Sequence, residues 1–129
     1  MRAIVQRVLS ADVKVDGEVR AAIGPGLLVY VAVARDDDDA DVAYIAEKIV
    51  GLRIFPDANG KMNLSVREAA GQTLVVSAFT VLADARKGRR PALGAAADHD
   101  HADRLYRRVC DRIIESGVPS LPGVFAAYM

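Results

Sequence analysis

A run of eight apolar residues, 27–34 (LLVYVAVA), places the strongest constraint on the fold of this chain. The run is rich in residues that favour strands, and it presents no polar face. A strand of this kind is covered on both faces, as central strands of layered α/β proteins are. The turn sequence Gly24-Pro25-Gly26 precedes it directly. We therefore predict a buried central strand that follows this turn.

Two helices are predicted to pack against the sheet that contains this strand. Apolar residues recur at helical spacing over residues 42–49, after an acidic N-cap region at residues 36–39 and before Gly51. A second amphipathic helix is predicted over residues 100–116, since Gly117 follows as a stop signal.

The remaining segments predict four or five more strands. An Asp16-Gly17 pair between alternating stretches predicts a β-hairpin with a type I′ turn. Further strands are predicted at residues 52–55, 73–82 and 123–129. Because strands precede each helix, the pattern predicts an α/β sandwich or barrel-like sheet with two main packed helices.

Length and charge narrow the possible functions. A chain of 129 residues fits a single domain, 1–129. Seventeen basic residues balance seventeen acidic ones, so the molecule as a whole carries no excess of positive charge. This excludes a protein that binds nucleic acids or membrane surfaces through its overall charge. No segment is of transmembrane or signal-peptide type, so we expect a soluble, cytoplasmic protein without a membrane partner. The lone Cys110 excludes an intramolecular disulfide and favours an unreactive buried thiol.

The hydroxyls of Ser77 and Thr80 are candidate site groups, because they interrupt the apolar run 73–82 just before a basic loop. A strand end that leads into a loop is where a rigid scaffold displays reactive groups. Such a site suits an ester or phosphodiester substrate. The alternative is that both hydroxyls simply bond to the backbone of the strand.

The histidines and the acidic run offer weaker candidates. His99 and His101 could serve Ser77 as a general base, but their charged surroundings favour solvated residues at a helix start. Residues 36–39 could in principle bind a divalent cation, yet no second ligand cluster accompanies them, so we interpret them as a solvated helix entry.

The basic loop is a candidate phosphate-binding patch on a neutral molecule. Its cations are Arg86, Lys87, Arg89 and Arg90, punctuated by Gly88. Solvated loop charge is the alternative. The chain has three phenylalanines, four tyrosines and no tryptophan, which argues against a general single-strand binder.

Along its whole length the chain resembles the D-aminoacyl-tRNA deacylases, formerly called D-tyrosyl-tRNA deacylases. The segments that carry the resemblance are QRV at 6–8, GPGLLV at 24–29, the acidic residues 36–39, RIFPDANGKMNLSV at 53–66, LVVSAFT at 74–80, KGRRP at 87–91 and GVFAAYM at 123–129. Each is weak alone, and together they are specific.

The resemblance implies a homodimer of the α/β fold described above, and hydrolysis of the ester between a D-amino acid and the terminal adenosine of tRNA, with no metal or cofactor. Related members also remove glycine mischarged onto tRNA. Backbone amides around Ser77, Phe79 and Thr80 would stabilise the oxyanion, while the threonine hydroxyl is an alternative nucleophile. Substrate-binding residues would be Ala78, Phe125, Ala126 and Met129. The loop of Arg86, Lys87, Arg89 and Arg90 would contact tRNA phosphate.

Two departures from the family pattern bear on activity. The family motif Ser-Gln-x-Thr has Ala78 in place of glutamine here. The family also continues into a strand with an Asn-x-Gly-Pro-x-Thr motif that excludes L-amino acids, and Arg7 helps to orient that Gly-Pro pair. This chain ends before that strand. The alternative prediction is therefore a catalytically impaired relative that acts as a tRNA-end or protein-binding module.

Overall fold

The computed structural model describes the whole chain, Met1–Met129. It contains eight strands, two α-helices and one short 3₁₀ helix. In chain order they are β1 (Arg2–Val8), β2 (Ala11–Val15), β3 (Glu18–Ile23), β4 (Gly26–Ala32), α1 (Asp39–Gly51), β5 (Phe55–Pro56), β6 (Met62–Leu64), β7 (Gln72–Ser77), the 3₁₀ helix (Phe79–Leu82), α2 (His99–Glu115) and β8 (Ser120–Pro122).

The main sheet has four strands in the order β1-β4-β7-β8. Strand β4 pairs antiparallel with β1 and parallel with β7, and β7 pairs parallel with β8. The predicted strand after the Gly-Pro-Gly turn is therefore an interior strand of the sheet, as its uninterrupted apolar run indicated.

Both faces of this sheet are covered, by different layers. Leu27, Val29 and Val31 pack into the larger core together with α1 and α2. The alternate residues Leu28 and Tyr30 pack toward the β2–β3 hairpin on the opposite face. Since successive side chains of a strand point to opposite faces, one strand contributes to both cores. The predicted α/β layering is confirmed.

The hairpin has the predicted turn. Asp16 and Gly17 both have positive φ, 52° and 80°, as a two-residue type I′ turn requires. Strands β2 and β3 pair antiparallel on either side of it.

Helix α1 begins where the acidic run predicts. Asp38 is the N-cap and forms a capping box with Asp41. The interpretation of residues 36–39 as wholly solvated is wrong for one residue, since Asp37 is buried. Its carboxylate pairs with the amino group of Met1 and accepts a hydrogen bond of 2.6 Å from the Ala34 amide.

Three strand predictions require correction. The strand predicted at residues 73–82 ends at Ser77, and the chain then turns into the 3₁₀ helix. The strand predicted at 52–55 is reduced to β5, because Leu52 is the C-cap of α1. Residues 123–129 do not form a strand. The strand that pairs with β7 is instead β8, which ends at a proline, and farther along the chain Ala126 adopts a positive φ of 60°.

Neither α1 nor α2 has the length and apolar composition that a membrane-spanning helix requires.

Candidate active site

The candidate site is built where β7 ends. The Ala78 amide donates to the Val31 carbonyl at 2.8 Å, one residue beyond the last paired residue of β7. This bond anchors the main chain before it turns into the 3₁₀ helix. From the other side, Arg2 on β1 donates from Nη1 to the Val81 carbonyl at 2.9 Å. The short helix is therefore braced by two neighbouring strands.

The cleft around this strand end has two lobes. The first lobe, about 680 Å³, lies between the hairpin and the strand end, and Asp12, Lys14 and Tyr30 contribute to its wall. The second lobe, about 410 Å³, lies beside the start of α2 and is lined by His99 and Phe125. The two lobes share Ser77, Phe79, Ala127 and Met129 as lining residues.

The structure brings the catalytic and substrate-binding candidates together from two distant parts of the chain. The first lobe is lined by Ser77, Ala78, Phe79, Thr80 and Met129. The second lobe adds Phe125 and Ala126. Every one of these candidates therefore lines one or both of two adjoining lobes.

The side-chain hydroxyls of the site are free. Ser77 is half-buried and Thr80 is exposed, and neither hydroxyl is hydrogen-bonded within the protein. The alternative in which both bond to the strand backbone is thus not what the structure shows.

Two main-chain amides of the site are also free of helical bonds. The first amide to bond back within the 3₁₀ helix is that of Val81, to the Ala78 carbonyl, and no side chain caps the helix. The amides of Phe79 and Thr80 precede that bond, so they have no intrahelical acceptor. Within the 3₁₀ helix these two amides are therefore donors without a partner.

The wall formed by residues 123–129 is fastened to the core through Tyr106. The buried Tyr106 hydroxyl donates to the Val75 carbonyl at 2.7 Å and lies 3.5 Å from the Gly123 carbonyl. The Gly123 amide donates to the same Val75 carbonyl at 2.7 Å. The Tyr106 ring also packs on Phe125, with 5.7 Å between ring centres. Burial raises the pKa of this phenol far above its usual value, so the hydroxyl keeps its proton as a donor.

The two histidines occupy different environments. His99 is exposed and packs edge-on against Phe125, whereas His101 is half-buried and places Nε2 2.9 Å from the Asp37 carbonyl oxygen. Neither histidine is hydrogen-bonded to Ser77. The serine–histidine pair considered from the sequence is therefore not formed.

The basic loop is exposed, and its cations differ. Arg86 forms a two-pronged ion pair with Asp84, with a closest distance of 2.6 Å, which lowers the pKa of the Asp84 carboxyl. Lys87, Arg89 and Arg90 have no carboxylate partner within the chain. Of the four side chains predicted to contact phosphate, these three are therefore not already paired with a carboxylate.

Other polar groups have structural surroundings. Arg7 donates from Nη1 to the Ile54 carbonyl at 2.6 Å. Cys110 is buried, and burial together with the nearby Asp111 raises the pKa of its thiol to about 11, consistent with the expected unreactive thiol. No group of three or more His, Cys, Asp or Glu side chains is arranged to hold a metal ion.

Sequence reasoning missed several residues of the site. Tyr106 lies within the predicted helix 100–116, and its hydroxyl is the signal that the sequence offers, because a buried tyrosine hydroxyl needs a partner. His99 was treated as solvated. Asp12, Lys14 and Tyr30 gave no signal, since only the packing of the hairpin brings them to the cleft.

Fold and site together define an α/β fold with a cleft at the end of β7, in which neither histidine is hydrogen-bonded to Ser77. The family described as D-Tyr-tRNA(Tyr) deacylase matches residues 4–129. The chain is 54% identical over 129 residues to a D-aminoacyl-tRNA deacylase of Anaeromyxobacter dehalogenans, and 50% identical to that of Syntrophobacter fumaroxidans. Each alignment covers 100% of this chain and 87% of the relative. This chain belongs to the D-Tyr-tRNA(Tyr) deacylase family.

Solved structures share the fold of this chain. A protein described as the c-Myc DNA unwinding element binding protein superposes with a TM-score of 0.94 at 34% identity, over 99% of this chain and 87% of that one. A probable eukaryotic D-amino acid tRNA deacylase superposes with a TM-score of 0.81 at 17% identity, over 98% and 89% of the two chains. The latter likeness supports the fold alone.

Proposed function

We propose that this protein hydrolyses the ester bond of D-aminoacyl-tRNA and releases the free amino acid and tRNA. The observation that carries this proposal is the similarity over the full chain to D-aminoacyl-tRNA deacylases. The gathering of the family's motif positions around one cleft supports it. By the same resemblance, glycine mischarged onto tRNA is a second substrate. An aminoacyl-tRNA substrate implies the cytoplasm as the place of action.

The proposed chemistry relies on the main chain. A water molecule attacks the ester carbonyl, and the amides of Phe79 and Thr80 donate to the oxyanion that develops. The carbon–oxygen bond to the ribose then breaks, and the ribose oxygen takes up the proton lost by the water. No step requires a metal, a cofactor or a covalent enzyme intermediate.

The two-lobed shape of the cleft fits the two ends of such a substrate. An aminoacyl-adenosine has an amino acid on one side of the ester and a nucleoside on the other. The residues common to both lobes, including Ser77 and Phe79, lie where the ester would be. In this arrangement Phe125, Ala126 and Met129 flank the substrate, and Ala78 supplies a methyl group where the family has a glutamine side chain.

The direct test is to incubate purified protein with tRNA carrying the D or the L form of one amino acid, and to follow ester loss at matched concentrations. We expect loss of the D ester well above the uncatalysed rate. Preference for D over L shows that this chain carries a chirality filter, whereas equal loss shows that the chemistry works without one. If correctly folded protein cleaves neither ester, the hydrolase proposal is wrong, and binding of uncleaved aminoacyl-tRNA would then favour the alternative of a binding module.

Substitution of the hydroxyl residues tests how the site works. Ser77→Ala and Thr80→Ala are each expected to change kcat/KM by less than about tenfold, because the proposed donors are main-chain amides that both variants retain. Single-turnover hydrolysis of D-aminoacyl-tRNA measures the effect. A loss of about a thousandfold in either variant would indicate a hydroxyl nucleophile and contradict the amide mechanism.

The basic loop is proposed to contact tRNA phosphate. The double variant Arg89→Glu, Arg90→Glu is expected to weaken tRNA binding and to flatten its dependence on salt, because each lost phosphate contact removes counterion release. Filter binding between low and moderate salt measures the slope. Arg86→Glu is a useful comparison, since Arg86 is already paired with Asp84 and should have a smaller effect. An unchanged slope in the double variant would remove the loop from the tRNA-binding surface.

A homodimer is proposed from the resemblance. It is supported by apolar side chains at the surface, since Ile4 on the edge strand β1 is 52% exposed and Met62 on β6 is 70% exposed. Exposed apolar groups and an open sheet edge each favour association. Sedimentation analysis of the purified protein measures the state, and a monomer at all accessible concentrations would contradict the proposal.

A further inference from the structure

The second lobe of the cleft contains one polar side chain that neither the motif nor the family resemblance assigns. His99 is the first residue of α2, and its ring meets the Phe125 ring edge-on, with 5.1 Å between centres and 79° between planes. Apart from the Ser77 hydroxyl, it is the only polar side chain that lines this lobe. The rest of the lining is alanine, phenylalanine and methionine.

The hydrogen bonding of His99 indicates what its free nitrogen offers. Nδ1 lies 3.1 Å from Oδ1 of Asp100, so a neutral ring donates its Nδ1 hydrogen to that carboxylate. Nε2 then carries a lone pair, and no protein group bonds to it. His99 therefore offers an acceptor nitrogen in an otherwise apolar, partly aromatic lobe.

A lobe with these properties suits a flat heterocycle that carries an amino group. Unstacked bases bind on aromatic side chains and are told apart by the donors and acceptors on their edges. Adenine presents an exocyclic amino donor, where hypoxanthine has a keto acceptor in the same place. An unprotonated histidine nitrogen would accept a hydrogen bond from the amino group of adenine and would repel the keto oxygen of hypoxanthine.

We infer that His99 is a specificity-determining residue, and that it selects the terminal adenine of the substrate by accepting a hydrogen bond from the 6-amino group. The inference rests on the proposed function, because the tRNA end supplies the base. His99 acts on binding of the nucleoside and does not touch the ester.

Direct binding of two nucleotides tests this selection without any hydrolysis. Titration calorimetry or chemical-shift mapping compares adenosine 5′-monophosphate with inosine 5′-monophosphate, which differ at the 6-position. The unaltered protein is expected to bind the adenine nucleotide about tenfold more tightly. A difference in affinity of this size is expected when a hydrogen bond is replaced by two acceptors, the histidine Nε2 and the keto oxygen, that face each other without a proton between them. His99→Ala should bind the two nucleotides equally.

Further variants separate hydrogen bonding from packing. His99→Phe keeps a ring against Phe125 but has no acceptor, so it should also lose the preference. His99→Gln supplies a carbonyl acceptor and should restore part of it. His101→Ala is the matched control, because it removes the same residue type two positions along the helix, where the ring contacts the Asp37 carbonyl and not the cleft. The control should keep the full preference.

The outcomes distinguish this inference from the proposed function. If the unaltered protein binds the two nucleotides equally or binds neither, or if His99→Phe keeps the preference, the assignment of His99 is overturned even when D-aminoacyl-tRNA is hydrolysed. If nucleotide selection depends on His99 while no ester is cleaved, the hydrolase proposal fails and the assignment stands. With an active enzyme, His99→Ala should raise KM and leave kcat within about twofold, as loss of uniform binding does.

Discussion

Replacement of Tyr106 by phenylalanine is expected to lower kcat/KM for D-aminoacyl-tRNA about tenfold while the protein stays folded. The variant keeps the ring that packs on Phe125 but loses the hydroxyl that donates to the Val75 carbonyl at 2.7 Å. That hydroxyl fastens residues 123–129 to the end of β7, and these residues form one wall of the cleft. Small displacements of a wall that positions substrate reduce catalysis more than they reduce stability. Steady-state kinetics and urea unfolding on the same preparation measure both effects.

The stability loss should be small, about 1 kcal/mol, because the Val75 carbonyl retains its bond from the Gly123 amide. Tyr44→Phe is the matched control: Tyr44 is 62% exposed on α1, where its ring lies near the Lys48 ammonium. It should change neither kinetics nor stability. If Tyr106→Phe unfolds at lower urea but keeps full kcat and KM, Tyr106 contributes to stability alone and does not position the wall.

Substitution of Gly26 by alanine is expected to cause the largest loss of stability, about 3 kcal/mol or more. A Cβ atom at this position would lie 1.9 Å from the carbonyl oxygen of Gln72, which is main chain and cannot move aside without breaking the pairing of β4 and β7. Because this pairing runs on to Ser77, the variant should also lose activity. Urea denaturation followed by circular dichroism measures the change in the free energy of unfolding.

Gly24→Ala is the control for this substitution. Its added methyl group would have Oε1 of Gln72 as its nearest neighbour, at an ordinary contact distance of 3.9 Å. It should cost far less than Gly26→Ala, although both glycines flank Pro25 in one turn. Equal losses in the two variants would show that the turn itself, and not the close approach to Gln72, requires glycine.

The long strands and helices were predictable, because the spacing of their apolar residues follows which side chains are buried. The apolar run 27–34 supplies every residue of the two-faced strand β4 except Gly26, and the capping residues before α1 fix where that helix begins. The Asp16-Gly17 turn followed from the backbone conformation that only such a pair adopts readily. Ser77 and Thr80 were singled out by their place between an apolar run and a loop, whereas Ala78 and Phe79 became candidates only through the resemblance to the family.

The end of β7 was not predictable from local pattern. Phe79, Val81 and Leu82 all suit a strand, and the chain leaves the sheet there because of tertiary contacts, including the bond from Arg2 to the Val81 carbonyl. The same kind of error, a predicted strand that does not form, occurs at residues 123–129, which look strand-like but turn back toward the core. The sulfur of Met129 lies 3.2 Å from where a Cβ of Gly123 would be, a contact that no sequence window contains.

The order of strands in the main sheet also governs how fast this protein can reach its native state. Gly24 and Gln72, which are hydrogen-bonded at 3.0 Å, are 48 residues apart, and the parallel pairing of β4 with β7 must enclose the whole of α1 and the β5–β6 hairpin. Closing such a loop costs entropy before any contact compensates for it, so we expect refolding in milliseconds to seconds. During that interval the apolar edges of β4 and β7 are exposed, and dilute protein should refold with a better yield than concentrated protein.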